Sequence, residues 1–152
     1  YPGTCRHLST DERAARMARG DSYAVRLDAA KAAEAAGPLE LIEHGHTYPV
    51  EPLSFGDVVL ARKDMPTSYH LAVGVDDAFQ DVTLVTQGED LLPATHIHRL
   101  LQALLGYSAP AYAHHRLILD KDGRKFSKRD GSVTIRGLRA AGVTPAGIEA
   151  LF

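Results

Sequence analysis

Lys125-Phe126-Ser127-Lys128-Arg129 is the stretch of this sequence best equipped for chemistry. Two lysines separated by two residues, with a serine between them, can set ammonium groups and a hydroxyl around phosphate oxygens, which suits charge developing on a leaving pyrophosphate. The same five residues also describe a solvated basic turn, and on their own that plainer reading is preferred. Just upstream, Leu117-Ile118-Leu119 reads as a short buried strand, and Asp120-Lys121-Asp122-Gly123 has the composition of a tight reversal. The expectation is a strand, a reversal and then a basic loop.

Other reactive residue types are weaker when read by spacing. Tyr1 and Cys5 flank Pro2 and Gly3 in a turn-forming segment, and zinc requires about four ligands, so spacing alone supports no metal. Asp76 and Asp77 are adjacent on an expected helix and diverge. His96 and His98 leave different helix faces, and His114 and His115 alternate across a strand, so all four read as satisfied or solvated histidines. Tyr69 reads as an amphipathic residue at a helix start whose hydroxyl satisfies backbone.

Composition sets outer bounds. A chain of 152 residues holds one compact domain, or a domain with a small insertion. Its 45% hydrophobic and 24% charged content is that of a soluble globular protein, and no apolar run is long enough to span a bilayer. A net charge of -2 gives no global pull on nucleic acid, which leaves RNA contact to local basic patches such as residues 124–129. One cysteine excludes an internal disulfide. The chain opens at Tyr1 with neither an initiating methionine nor a secretory signal, so a preceding segment and a cytoplasmic location are expected.

The elements that must position these residues follow in order. Ser9 with Glu12 fits a capping box, so a helix is expected from Thr10 to Arg19, with Gly20 as its stop. Tyr23 to Leu27 alternates as a strand, and the alanine-rich Ala29 to Ala36 favours helix before Gly37-Pro38. Leu41, Ile42, Tyr48 and Val50 supply strand segments within a turn-rich region. Gly56 to Asp64 reads as a further strand, and Pro66-Thr67-Ser68 turns into the next helix. Val82 to Thr86 is a buried-strand candidate whose carboxyl end carries Gln87-Gly88-Glu89-Asp90, the edge at which open α/β sheets bind ligands. Pro93 suits a first helical turn, and Ile97, Leu100, Leu101, Leu104 and Leu105 recur at helical spacing up to Gly106. Val133 to Ala141 and Pro145 to Phe152 read as short helices, the second capped by Thr144.

Taken together and in this order, the motifs resemble those of the class I aminoacyl-tRNA synthetases, glutamyl branch. Lys125 to Arg129 resembles the KMSKS signature, Tyr69-His70-Leu71-Ala72-Val73-Gly74-Val75-Asp76-Asp77 resembles Y-x-L-A-x-x-V-D-D, and Gln87-Gly88-Glu89-Asp90-Leu91 resembles R-G-x-D-L. The similarity runs over nearly the whole chain and is densest from Phe55 to Arg129. His44-Gly45-His46 is not a HIGH motif, because the histidines are one residue too close and lie in the wrong place; the resemblance puts a HIGH segment upstream. Within the family the glutamyl-queuosine branch carries a zinc-bearing insertion, and Tyr1 and Cys5 match the second half of its Cys-x-Cys and Tyr-x-x-x-Cys ligands. The run from Asp130 to Phe152 resembles the ending of that branch.

The resemblance implies the second half of a Rossmann-type parallel α/β sheet with part of an α+β connective insertion. It divides the chain into residues 1–56 of the connective, zinc-type insertion, 57–129 of the catalytic domain with its KMSKS-like loop, and 130–152 as short helices. It also implies glutamate activation with ATP and magnesium and transfer of the acyl group to the queuosine base of tRNA(Asp), by a monomer that meets no membrane. Lys128, assisted by Lys125 and Ser127, would stabilise the leaving phosphates; Tyr69 and Gln87 would face glutamate; Gly88, Glu89 and Asp90 would lie near the nucleotide and the substrate amine. Gln87 stands where the family has arginine, a loss of a charge-assisted bidentate contact worth on the order of 1–3 kcal/mol. A glutamyl-tRNA synthetase is the alternative within the family, and a non-catalytic RNA-binding or scaffold domain the alternative outside it. On this reading the stretch by itself is inactive without the HIGH segment, and two of four ligands do not retain zinc.

Overall fold

The computed structural model describes residues 1–119, 122–125 and 134–149. In chain order the elements are α1 (Thr10–Ala18), β1 (Ala24–Arg26), α2 (Ala29–Ala36), β2 (Glu40–Glu43), β3 (His46–Pro49), β4 (Val59–Arg62), α3 (Tyr69–Phe79), β5 (Leu84–Gly88), α4 (Leu92–Leu105), β6 (Ala111–His115), α5 (Ile135–Ala140) and α6 (Pro145–Glu149). They form two compact units, Tyr1–His115 and Arg116–Phe152.

Local sequence accounts for most element ends. The Ser9 hydroxyl accepts the Glu12 N–H at 3.1 Å and starts α1. Asp28 does the same for α2 by accepting the Lys31 N–H at 3.3 Å, and Gly37 ends that helix at φ +69°, a conformation open to glycine without penalty. Pro93 lies in the first turn of α4, and Gly106 closes it in the left-handed region at φ +72°.

The first unit contains a two-stranded antiparallel ribbon of β1 and β4, and a four-stranded sheet in the order β3-β2-β6-β5. In that sheet β2 and β3 form an antiparallel hairpin, while β2 with β6 and β5 with β6 run parallel. The architecture is therefore mixed α/β with parallel strands. The core gathers on α4: Ile97 and Leu101 pack with Val58, flanked by Leu27 and Leu60, and Ala94, Leu100, Leu41 and Tyr112 are also buried. Tyr112 reconciles its hydroxyl with burial by accepting from Gln102 Nε2 at 3.0 Å.

The elements depart from the sequence reading at four points. Leu117-Ile118-Leu119 is not a buried strand: Ile118 and Leu119 are exposed, and the strand lies upstream at β6. Period-two geometry there puts Tyr112 and His114 on one interior face, and pairing with both β2 and β5 outweighs the stronger apolar run. β5 begins two residues later than Val82, because the Val82 N–H is taken by the Asp77 carbonyl at the end of α3, and it is not a buried strand but the sheet edge, with Leu84 exposed. The strand segments expected within a turn-rich region form the β2–β3 hairpin, which extends the sheet through β6, a partnership that alternation cannot specify. Leu104 and Leu105 are exposed, since the last turn of α4 runs past the core.

In the second unit Leu119 and Lys125 face each other as an antiparallel bridge, with Gly123 at φ +74° in the intervening reversal. Thr134 caps α5 by accepting the Gly137 N–H at 3.0 Å, and Thr144 accepts the Gly147 N–H at 3.1 Å at the start of α6.

Ile97 has no exposed surface. Ile97→Ala is expected to cost about 2–5 kcal/mol by lost burial and an unfilled cavity. Chemical denaturation should show this as a lower midpoint at unchanged slope.

Candidate functional site

Parallel pairing of β5 with β6 sets Gln87 beside His114 and Gly88 beside His115 at the carboxyl ends of the strands. The end of β2 brings Glu43 to the same edge. Glu43 binds His114 twice, its carboxylate accepting the backbone N–H at 2.8 Å and the imidazole Nδ1–H at 2.7 Å. On the other side of the ring, Gln87 Nε2 donates to His114 Nε2 at 2.9 Å and to Thr95 Oγ1 at 2.7 Å. The Thr95 hydroxyl donates to the Leu91 carbonyl at 3.2 Å and lies 3.0 Å from the same imidazole nitrogen. His44 closes the edge with its Nε2–H donated to the His114 carbonyl at 2.9 Å.

This network sets local charge. Burial would push the Glu43 carboxyl up, but the His114 backbone N–H, the His114 imidazole and the charge of His44 together hold it below the usual carboxylate range. Glu43 is thus an anion at neutral pH, placed to accept the His114 Nδ1–H.

A second cluster lies where α3 meets α4. Tyr69, the first residue of α3, is 54% exposed, and its ring meets His70 and His98 edge-on at centroid distances of 5.8 and 5.7 Å. His70 Nδ1 and His98 Nε2 are 3.0 Å apart, so one imidazole donates and the other accepts. Burial first, and the neighbouring His70 second, push the His98 imidazole down to about 4, and burial lowers His70 as well. Tyr69 also lines a cleft of about 520 Å³ with Phe55, His70, Arg26 and Arg62.

Thr95 and His98 are one turn apart on α4 and so share a face. Gln87 reaches that face through Thr95 and Tyr69 through His98. Both expected substrate-facing residues therefore lean on the first half of one helix. Gly88 ends β5, and Glu89 and Asp90 form the 3-10 turn Glu89–Leu91 that leads into α4. Of the basic-loop residues, Lys125 is described in its bridge with Leu119; Ser127 and Lys128 lie outside the described residues.

Tyr1 and Cys5 are brought together by a turn in which the Tyr1 hydroxyl accepts the Cys5 N–H at 2.8 Å. Arg26 covers the Tyr1 ring at 4.6 Å from its centroid. Among the described residues no group of three or more His, Cys, Asp or Glu could hold a metal ion. His44 and Gly45 make the β2–β3 reversal at φ +48° and +80°, and His96 accepts the Glu51 N–H on Nδ1 at 3.1 Å.

Sequence reading missed Glu43 and Thr95 and gave His114 no partner. One signal was present: Leu41 is buried and Ile42 exposed, so alternation puts Glu43 on the interior face. A carboxylate there requires a donor. For Thr95 no comparable signal exists.

Residues 1–151 match the family model for tRNA synthetases class I (E and Q), catalytic domain. Over its full length the chain is 45% identical to a glutamyl-Q tRNA(Asp) synthetase of Nocardia farcinica, of which it covers 47%. It is 43% identical to the enzyme of the same name from Rhodobacter capsulatus, covering 55%. The chain thus spans about half the length of these relatives. A crystal structure of glutamate-tRNA synthetase from Elizabethkingia anophelis superimposes with a TM-score of 0.61 at 32% identity, over 82% of this chain and 25% of that one.

The His70–His98 pair makes stability depend on pH. Because the folded His98 value of about 4 lies below the ordinary 6.5, unfolded chains take up the proton first as pH falls. The contribution of His98 is complete above pH 6.5 and is lost progressively as pH drops toward 4, by on the order of 2–3 kcal/mol. Thermal melts across that range should show a falling midpoint, and His98→Gln should flatten the dependence; an unchanged slope would remove the assignment.

Proposed function

Because this chain belongs to the class I tRNA synthetase (E and Q) catalytic-domain family, we propose that the protein carrying it is a ligase that activates glutamate with ATP and transfers it to the queuosine base of tRNA(Asp). The observation that carries the reading is the position of Gln87, Gly88, Glu89 and Asp90 at the carboxyl edge of parallel strands β5 and β6, the ligand-binding edge of open α/β sheets. The names of the relatives from Nocardia farcinica and Rhodobacter capsulatus support the choice of glutamate and tRNA(Asp).

In the proposed reaction the glutamate α-carboxylate attacks the α-phosphate of ATP, supplied with its magnesium as substrate. An acyl-phosphate bond forms, the bond to the β-phosphate breaks, and pyrophosphate leaves. An RNA hydroxyl then attacks the acyl carbon and AMP departs. Tyr69 and Gln87 face glutamate, with Gly88, Glu89 and Asp90 beside the nucleotide and the amine. Lys128, with Lys125 and Ser127, acts as a KMSKS-type loop that meets the charge growing on the leaving pyrophosphate. Residues 1–56 serve as the connective insertion, 57–129 as the second half of the catalytic domain and 130–152 as bracing helices. Tyr1 and Cys5 become zinc ligands only where a Cys-x-Cys pair from the same protein completes the set. The protein acts as a cytoplasmic monomer.

A glutamyl-tRNA synthetase is the second reading, favoured by the 32% identity to the Elizabethkingia anophelis structure. The two are separated by locating the ester on the RNA: on the modified base of the anticodon for the first, at the 3′ end for the second.

In glutamate-dependent ATP–pyrophosphate exchange by the protein carrying this chain, Lys128→Ala is expected to lower the rate by about 10²–10³-fold, the usual scale for removing one transition-state charge contact. Exchange at the wild-type rate in Lys128→Ala would remove that role.

A further inference from the structure

The amide of Gln87 is committed by its own hydrogen bonds. A glutamine side chain has two N–H donors and one carbonyl oxygen. Gln87 Nε2 donates to Thr95 Oγ1 at 2.7 Å and to His114 Nε2 at 2.9 Å, which uses both of its hydrogens. In the neutral imidazole whose Nδ1–H is held by the Glu43 carboxylate at 2.7 Å, the other ring nitrogen is the acceptor. Inverting the amide would set its oxygen against that lone pair. Three elements thus fix the same end inward: β2 through Glu43, β6 through His114 and α4 through Thr95. The group left to meet a ligand is Gln87 Oε1, an acceptor at the carboxyl edge of the sheet.

A ligand carboxylate at this corner would meet an amide oxygen, whereas an ammonium group would meet an acceptor.

We infer that Gln87 is a specificity residue that recognises the α-ammonium group of the amino-acid substrate through Oε1, with Glu43, His114 and Thr95 as positioning residues that hold the amide this way round. The inference rests on the reading of this edge as the amino-acid site and assigns which substrate group each part of that site reads. Gln87 takes the amine, and the substrate carboxylates are held by other residues.

The test is a cycle between residue and ligand group, by calorimetry on the protein carrying this chain, with L-glutamate and glutarate, the same diacid without its amine. Gln87→Leu should weaken glutamate about tenfold and leave glutarate within about twofold, as expected for one contact to a charged group. Gln87→Met, of similar length and without the outward oxygen, should show the same selective loss of glutamate and serves if the leucine variant does not fold. Thr95→Val, which frees one amide hydrogen, should narrow the preference, while a purely structural loss would weaken both ligands alike. Equal weakening of both ligands by Gln87→Leu, or tighter glutamate binding in Gln87→Arg, overturns the inference while pyrophosphate exchange with glutamate would still support the ligase reading. Absence of glutamate binding in the wild type removes both.

Discussion

A buried imidazole must have both of its nitrogens satisfied, and that requirement at His114 organises the functional edge of this protein. The ring is 7% exposed as a residue and sits between a carboxylate on one nitrogen and an amide on the other. Leaving either nitrogen without a partner would cost about 1–3 kcal/mol, as would stranding Glu43 or Gln87. The strands are therefore locked in register near their carboxyl ends by side chains as well as by backbone. Gln87 can lie beside His114 only in the parallel pairing that puts Gly88 beside His115.

Helix α4 is the second half of that arrangement. Its apolar residues Ala94, Ile97, Leu100 and Leu101 close the core, and the same helix supplies Thr95 to the sheet edge and His98 to the α3 contact. One well-packed helix thereby couples the surroundings of Gln87 and Tyr69, so displacement of α4 would disturb both. The two ends differ in chemistry. Around His114 an anion and a protonated ring nitrogen coexist by hydrogen bonding, whereas His98 avoids charge altogether because burial leaves its imidazolium unsolvated.

The relatives that match this chain establish its family, and the glutamine at position 87 defines the chemistry of the sheet edge. Arginine would present a cation with several outward donors, while glutamine wired to Thr95 and His114 presents an oxygen. A single side chain sets what the sheet edge offers a ligand, because the interior partners of the amide are the side chains of Thr95 on α4 and His114 on β6.

Much of the architecture was legible in the residues themselves. Ser9 with Glu12, the alanine run before Gly37 and the Pro93-to-Gly106 span specify helices through capping, propensity and periodicity, all of which act within a few residues. The ordered motifs around Tyr69, Gln87 and Lys125 identify the family, since each is a local string. The identity of β6, the sheet partner of the β2–β3 hairpin and the constellation of Glu43, Thr95, Gln87 and His114 were decided only by tertiary structure. Glu43 and His114 are 71 positions apart. Nothing local distinguishes Ala111-Tyr112-Ala113-His114-His115 from a weaker strand than Leu117-Ile118-Leu119. Pairing on both edges and the need to satisfy buried polar groups are long-range terms, and they outweighed the apolar run.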